Sequence, residues 1–563
     1  MQRTRDLYRT ACLRARLRST RARLRAGLFL ILAGGLLIGT WSCSRNQTSD
    51  LERAAIVPAN VLISDPHSQW LSLGIALVLE QDFASSHHIA AVLADSDSGG
   101  YQRGATQVLR TTVEDRRGRI NLHVTVTDLS TQRITSSGDV NLPSSAGMLA
   151  TVNALAKRID PQSSEFSTKN ERAWQAYTAA AGSSNVQTRA QMLNAAINAD
   201  PGFGLAYLVL AQVLNQAGGQ NLAPVVAAAA AHRDAFTPLD KVRFAALVAR
   251  TSHAPLAQQA DATAAVLQLA PNDVDALATL GSERFLQNNA AEGARLLNRA
   301  LELSPGNVNV RAQLAEGLLE TRRFAEAEKI FAGIDNSSAV LPQLAACILL
   351  RGEVARANTV FSDYLKERAA ANDPLLFLAQ ANWIAVSKSP AAGVQYLAGN
   401  HFSQDDLRSL AFSQSSIWQL IDKDFSGAKK NAGLATQFAK APVPKLFAAI
   451  AMLIASSDEP LEQWRAQVNG SPLDESIKHA VLAYGLFLSA HYPEAVAEWQ
   501  ALVEQSGGAD LRARAMLAAS LDRAGRSAEA RKIAVEAFAP NLTGADQFAV
   551  LPFTEMRRLL GLH

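Results

Sequence analysis

The sequence has few of the residues, and none of the motifs, on which common enzyme and disulfide-rich classes depend. Its 563 residues include only three cysteines, and no disulfide framework can be read from them. A glycine-rich phosphate loop is absent, as are the motifs H-E-x-x-H, C-x-x-C and G-x-S-x-G. We therefore predict a protein that is not an enzyme, with no catalytic residues, no metal site and no cofactor.

An excess of charge of one sign is also missing from most of the chain. Nine arginines and one acidic residue give residues 1–25 a net charge of +8, which leaves −5 for the remainder of a chain whose total is +3. A mildly acidic body has no general attraction for nucleic acid, so we predict no nucleic-acid partner. Aromatic residues make up only 6% of the chain and apolar residues 48%, a composition that favours close-packed helices.

A basic head and a short apolar run open the chain. Residues 27–41 (GLFLILAGGLLIGTW) carry no charge, and a polar stretch follows them. This is the layout of a signal peptide, and the run is short for a transmembrane helix, which needs about 20 apolar residues. Cys43, directly after the run, resembles the lipidated cysteine of bacterial lipoproteins. An uncleaved anchor and cleavage elsewhere stay open as alternatives.

Residues 1–45 are therefore predicted to be a signal peptide or membrane anchor. The excess of arginine before the apolar run would hold the head in the cytoplasm and place the body outside it. The predicted location is the cell envelope, with the protein anchored to a membrane by a helix or a lipid and its body on the periplasmic side.

Residues 54–160 have the pattern of a small α/β domain. Residues 119–127 alternate between apolar and polar side chains, which is typical of a half-buried strand. Further strands are predicted at 54–58, 88–93, 106–113 and 133–140, and helices at 70–83 and 149–159. Residues 104–110, 118–120 and 126–132 resemble the TolB-like amino-terminal domain, and this resemblance implies no catalysis.

The clearest pattern lies between Pro271 and Pro305, which are 34 residues apart. Leu277, Leu280, Gly281 and Arg284 fall on a W-x2-L-G-x2-Y pattern, and Ala300 takes the small position of a second helix. The stretch resembles the tetratricopeptide repeat (TPR), a helix–turn–helix unit of this period. In that family each helix pair leaves an apolar face that the next pair covers, so the resemblance implies a solenoid.

Weaker copies of the pattern extend over residues 165–540. We predict about eleven helix pairs there and a C-terminal capping helix at 541–563, because the last repeat needs a polar outer face. The predicted fold is mostly α, a solenoid of TPR helix pairs preceded by a small α/β domain and a signal or anchor segment. Cys347 and five tryptophans are predicted to fill the helical core: Trp174, Trp383, Trp418, Trp464 and Trp499.

The resemblance to TPR proteins implies that a protein or peptide partner binds the concave face, which the first helix of each pair lines. The lining positions of the best repeats are Gln212, Asn215, Gln216, Ser282, Phe285, Glu316 and Glu320. Their mixed polarity argues against a clamp for a carboxylate terminus. The alternative, that they are simply exposed helix residues, stays open.

Two short patterns are weighed as metal sites. His87 and His88 have no further ligand at a suitable spacing, so we predict surface histidines. Residues 95–100 (DSDSGG) lack the glutamate that closes a calcium loop, so we predict a plain loop.

Three functions follow from these features. We favour a non-catalytic scaffold of the bacterial cell envelope that binds a protein or peptide partner. The alternative is a membrane-anchored sensory or regulatory component that acts through a separate effector protein. A hydrolase with an unrecognised site is the weakest of the three, since no catalytic arrangement is visible.

Overall fold

The computed structural model describes residues 51–217, 222–252, 254–287, 289–334, 340–508, 510–534 and 546–562. These residues contain six β-strands and 26 α-helices. The predicted basic head, the apolar run and Cys43 lie outside them. The described residues form two compact units, one of residues 51–281 and 295–310 and the other of residues 282–294 and 311–562.

The first unit opens with a mixed sheet. Its strands are β1 (Glu52–Ile56), β2 (Asn60–Val61), β3 (Ile89–Leu93), β4 (Gln107–Arg116), β5 (Arg119–Asp128) and β6 (Ile134–Pro143). The order is β3-β1-β4-β5-β6, and β2 pairs with β4 on the same side as β1. β1 runs parallel to β3 and β4, whereas β4, β5 and β6 are antiparallel neighbours. The small α/β domain predicted from the sequence is present.

Three helices accompany the sheet: α1 (Leu71–Asp82), α2 (Asp97–Gln102) and α3 (Met148–Ile159). The alternation predicted for β5 is confirmed, because Ile120, Leu122, Val124 and Val126 are all buried. Helix α1 is apolar on most sides because it contacts β1, β2 and β3, and also α3 and the first helix of the following array.

The array that follows consists, in chain order, of eleven consecutive helix pairs within the described ranges. They are α4 (Glu171–Ala181) and α5 (Val186–Ala199), α6 (Gly204–Gln216) and α7 (Leu222–His232), α8 (Pro238–Thr251) and α9 (Leu256–Leu269), α10 (Val274–Leu286) and α11 (Ala290–Leu303), α12 (Val308–Glu320) and α13 (Phe324–Ala332), α14 (Leu341–Leu350) and α15 (Val354–Ala370), α16 (Leu376–Ser387) and α17 (Pro390–Ala398), α18 (Asp405–Ile421) and α19 (Phe425–Phe438), α20 (Pro442–Ala455) and α21 (Leu461–Asn469), α22 (Glu475–Leu488) and α23 (Tyr492–Gln505), α24 (Leu511–Arg523) and α25 (Ser527–Ile533). A last helix, α26, spans Val550–Leu560.

In the first unit, the sheet and the first helix pairs share one hydrophobic core, which extends from β1 to α6. Trp174 on α4 is fully buried, and its ring centroid lies 4.6 Å from that of Trp70. The indole Nε1 of Trp174 donates a hydrogen bond to the carbonyl of Gly74 on α1, at 3.2 Å. This bond satisfies the polar end of an otherwise apolar side chain, so one tryptophan joins the α/β domain to the array.

In the second unit, aromatic side chains fill the spaces between helices. Trp418, Trp464 and Trp499 are buried, as are Trp383 and Cys347, which confirms the predicted core positions. Close approach of helices leaves room for glycine alone at some contacts. A Cβ atom added at Gly317 on α12 would lie 2.6 Å from the ring of Phe285 on α10.

Candidate functional site

The seven side chains predicted to bind a partner differ in their exposure. Gln212 and Asn215 on α6 are exposed, whereas Ser282 on α10 and Glu316 on α12 are half-buried. Phe285 and Glu320 are buried, and the side chain of Gln216 lies outside the described part of the chain. Four of the seven therefore present surface to solvent in this structure.

Phe285 needs a correction, because its side chain has no exposed area. It packs against Gly317 and fills the contact between two first helices, so it contributes to the core and not to a partner surface. Glu320, 3% exposed, is likewise withdrawn from solvent. A repeat consensus assigns a residue to one side of a helix, but the depth of that residue depends on the neighbouring pair.

The second unit contains a surface on which a stretch of polypeptide is already bound. The C-terminal segment (residues 546–562) contacts the first helices of four pairs, α16, α18, α22 and α24, and we call the surface that they form the first-helix face. The contacts run from one end of the segment to the other. Asp546 pairs with Arg512 of α24, and the ring of Phe548 stacks on Tyr484 of α22 with centroids 4.0 Å apart.

Two further contacts extend across earlier pairs. The carbonyl of Gln547 accepts a hydrogen bond from Gln414 Nε2 of α18 at 3.3 Å. At the other end of the segment, Arg557 Nη1 donates to the carbonyl of Val386 at 3.0 Å, near the C-terminal end of α16. Carbonyls in a last helical turn lack partners within the helix and carry the negative end of the helix dipole, which makes them a favourable place for a guanidinium group.

Two ion pairs join α26 to α24, and each helix supplies the acidic residue of one pair and the basic residue of the other. Glu555 accepts from Arg523 Nη2 at 2.8 Å, and Arg558 Nη1 lies 3.0 Å from Asp522 Oδ2. Arg558 also pairs with Glu555 within α26, at 2.9 Å, so the four charges form a continuous network. The side chain of Glu555 is only 9% exposed, and this low exposure makes its pairing with two arginines important for keeping the helix in place.

Lys423 lies near this network, in the turn between α18 and α19. Burial and the nearby charge of Arg523 lower the pKa of its ammonium group, while Glu555 raises it. Glu555 of α26 thus partly offsets the effects of burial and of Arg523 on this ammonium group. The electrostatics of the first-helix face favour an acidic group at the position of Glu555.

Apolar anchors complete the interface. Val550, Phe553 and Met556 recur at a spacing of three residues on α26, and all three are buried. Next to them is a cavity of about 460 Å³, lined by residues of α16 and α17, the turn between them and the C-terminal segment. The lining residues are Ala385, Val386, Lys388, Ser389, Pro390, Thr554, Arg557 and Leu562.

The sequence prediction of a capping helix did not anticipate these contacts. A helix was expected within 541–563, and α26 lies there, but its partners extend far beyond the last pair. One sequence signal was available, since Phe548, Glu555 and Arg558 combine an aromatic residue with an acid–base pair three residues apart.

The metal patterns considered from the sequence take ordinary places in the first unit. His87 and His88 are exposed, as predicted. The plain loop predicted for residues 95–100 was wrong in part, because residues 97–102 form α2, whose N-terminus is capped by the hydroxyl of Ser96. Within the described residues, no group of three or more histidine, cysteine or acidic side chains is arranged to hold a metal ion. None of the helices described here is long and apolar enough to cross a membrane.

Comparison with known families gives one match within this architecture. Residues 284–346, which include α11, α12 and α13, match the tetratricopeptide repeat family. This segment of the chain is similar to tetratricopeptide repeats. The matched TPR segment overlaps the repeat recognised between Pro271 and Pro305, and the comparison indicates no enzyme family.

Solved structures with similar regions have low identity to this chain. Ypp1 shares 12% identity over 64% of this chain and 59% of its own, with a TM-score of 0.36. Yeast Tom70 shares 12% over 72% of this chain and 91% of its own, with a TM-score of 0.29. The TPR domain of P58(IPK) shares 14% over 64% of this chain and 99% of its own, with a TM-score of 0.19. No curated protein matches the chain.

Proposed function

We propose that this protein is a non-catalytic scaffold that binds a protein or peptide partner along the first helices of its pairs. The observation that carries the proposal is the C-terminal segment, which lies across the first-helix face of the second unit. A surface that holds one helix through stacked rings, ion pairs and buried apolar side chains has the chemistry required to hold another. In the first unit, Gln212 and Asn215 are the exposed candidates for the same role.

The proposal includes a location in the bacterial cell envelope. It rests on the basic head and apolar run of residues 1–45, with Cys43 as the lipidated residue, and on the resemblance of residues 54–160 to TolB-like domains. Metabolic labelling with a fatty acid tests the lipid: wild-type protein would take up label and Cys43→Ala would not, whereas an unlabelled wild type would remove lipidation from the proposal.

Site-specific photo-crosslinking in cells tests the scaffold. A photoreactive residue would replace Gln212 or Glu316, and the control position would be Gln187, which is exposed on the second helix α5. We expect one defined protein adduct from a first-helix position and none from Gln187. Equal adducts at all positions, or none at any, would remove the first helices from consideration as the binding surface.

A further inference from the structure

The C-terminal segment contacts more helix pairs than a capping helix requires. A capping helix has to cover only the exposed apolar side of the last pair, which here is α24 and α25. Arg557 instead bonds to Val386, a residue 171 positions earlier, and Gln547 bonds to Gln414 on α18. The segment thus occupies the same first-helix positions to which the proposed function assigns a partner.

We propose that the C-terminal segment is an internal occupant of the first-helix face, and that the partner is an amphipathic helix of matching chemistry which competes with it. This inference rests on the proposed function and specifies the partner. Occupation by the chain itself lowers the apparent affinity for the partner, because the dissociation constant is divided by the small fraction of molecules in which the face is open.

The contacts define what the partner helix must carry. Apolar side chains at the spacing of Val550, Phe553 and Met556 fill the inner contact. An acidic residue at the position of Glu555 meets Arg523. A basic residue at the position of Arg558 meets Asp522. An arginine beside that basic residue reaches the carbonyl of Val386. This combination excludes a purely acidic or purely basic helix, because each leaves one buried charge without its opposite.

Displacement is tested in the full-length chain with Glu555→Arg. The substitution places three arginines together (positions 523, 555 and 558), so the C-terminal segment should leave the face. Glu462→Arg, an identical charge change at an exposed position of α21, is the matched control. The probe is a fluorescent peptide with the wild-type sequence of residues 546–562, and its binding is followed by anisotropy.

We expect Glu555→Arg to bind the peptide at least about tenfold more tightly than wild type and the Glu462→Arg control, because its face is open. The same peptide carrying Glu555→Arg should not bind. Hydrogen exchange should show lost protection in residues 546–562 of the variant, with protection retained in α16, α18 and α22.

A second variant covers the case in which Glu555→Arg does not fold. Phe548→Ala removes only the ring stacked on Tyr484 and should give the same result to a smaller extent. The proposal is overturned if both variants lose protection from hydrogen exchange throughout the second unit, because the segment is then part of the fold. It is also overturned if the segment is released and the open face does not bind the peptide. The photo-crosslinking experiment does not depend on the peptide, so the two proposals can fail separately. A scaffold whose partner does not compete with the C-terminal segment gives a cellular adduct but no tighter peptide binding. A face that binds the helix but has no cellular partner gives tighter peptide binding but no adduct.

Discussion

The pH dependence of stability in the first unit depends on Glu80, a half-buried carboxyl group on α1. Burial raises its pKa from 4.5 to about 7, and Asp275 adds to the rise, while the Leu93 backbone N–H and the charges of Arg243 and Arg103 oppose it. The folded state therefore holds a proton on this group that the unfolded state has already lost.

The sign follows from the difference in bound protons. Below pH 4.5 the carboxyl is neutral in both states, and its contribution to stability is fully present; it is lost as the pH rises to about 7. A shift from 4.5 to about 7 corresponds to at most about 3 kcal/mol, and partial contact with solvent reduces this value. Glu80→Gln removes the titration and keeps an oxygen that can accept from the N–H of Leu93.

Urea unfolding followed by tryptophan fluorescence measures the effect at pH 5 and pH 8. We expect Glu80→Gln to be close to wild type in stability at pH 5 and more stable than wild type at pH 8, by roughly 1–3 kcal/mol. Glu52→Gln, which changes an exposed carboxyl group in the same unit, is the control. A stability difference that is the same at both pH values, or a variant less stable than wild type at pH 8, would show that burial does not govern this group.

Three further predictions concern the cores of the two units. Trp174→Ala should lower the free energy of unfolding of the first unit by about 3–5 kcal/mol, measured by urea unfolding, because it leaves a cavity and removes the indole hydrogen bond to the carbonyl of Gly74; a loss below about 1 kcal/mol would contradict the buried contact. Gly317→Ala should destabilise the second unit by about 1–3 kcal/mol because its methyl group meets the ring of Phe285, although alanine favours a helix; a gain in melting temperature would mean that the ring moves aside. Burial raises the pKa of the Cys347 thiol, so mass spectrometry should find this cysteine alkylated by iodoacetamide only after unfolding; alkylation under native conditions would contradict its burial.

Much of the architecture could be predicted because it depends on local patterns. Strict alternation in residues 119–127 indicated β5, and the turn that follows led to β6 as its antiparallel neighbour. A spacing of 34 residues between Pro271 and Pro305 indicated the helix pairs, and the family match covers part of that repeat. The core tryptophans were also predictable, since a large aromatic residue within an amphipathic helix is usually buried.

The candidate site was less predictable. A consensus position identifies a residue on a first helix, but Gln212 is exposed there and Phe285 is fully buried. The difference comes from Gly317 on the next first helix, which lets α12 approach α10 closely enough to cover the ring. Burial thus depends on a residue 32 positions away, which no pattern within one repeat can report.

By itself the sequence determined the class of the protein, since hydrophobic periodicity, helix-ending prolines and small residues at fixed spacing act within one or two turns of backbone. It also determined that the described chain would build an α/β domain before helix pairs. The tertiary structure alone decided where α26 lies, because Arg557 meets Val386 across 171 residues and Phe548 meets Tyr484 on another pair. Contacts of this kind depend on which surfaces stacked helices leave open, and that is settled only when the pairs are assembled.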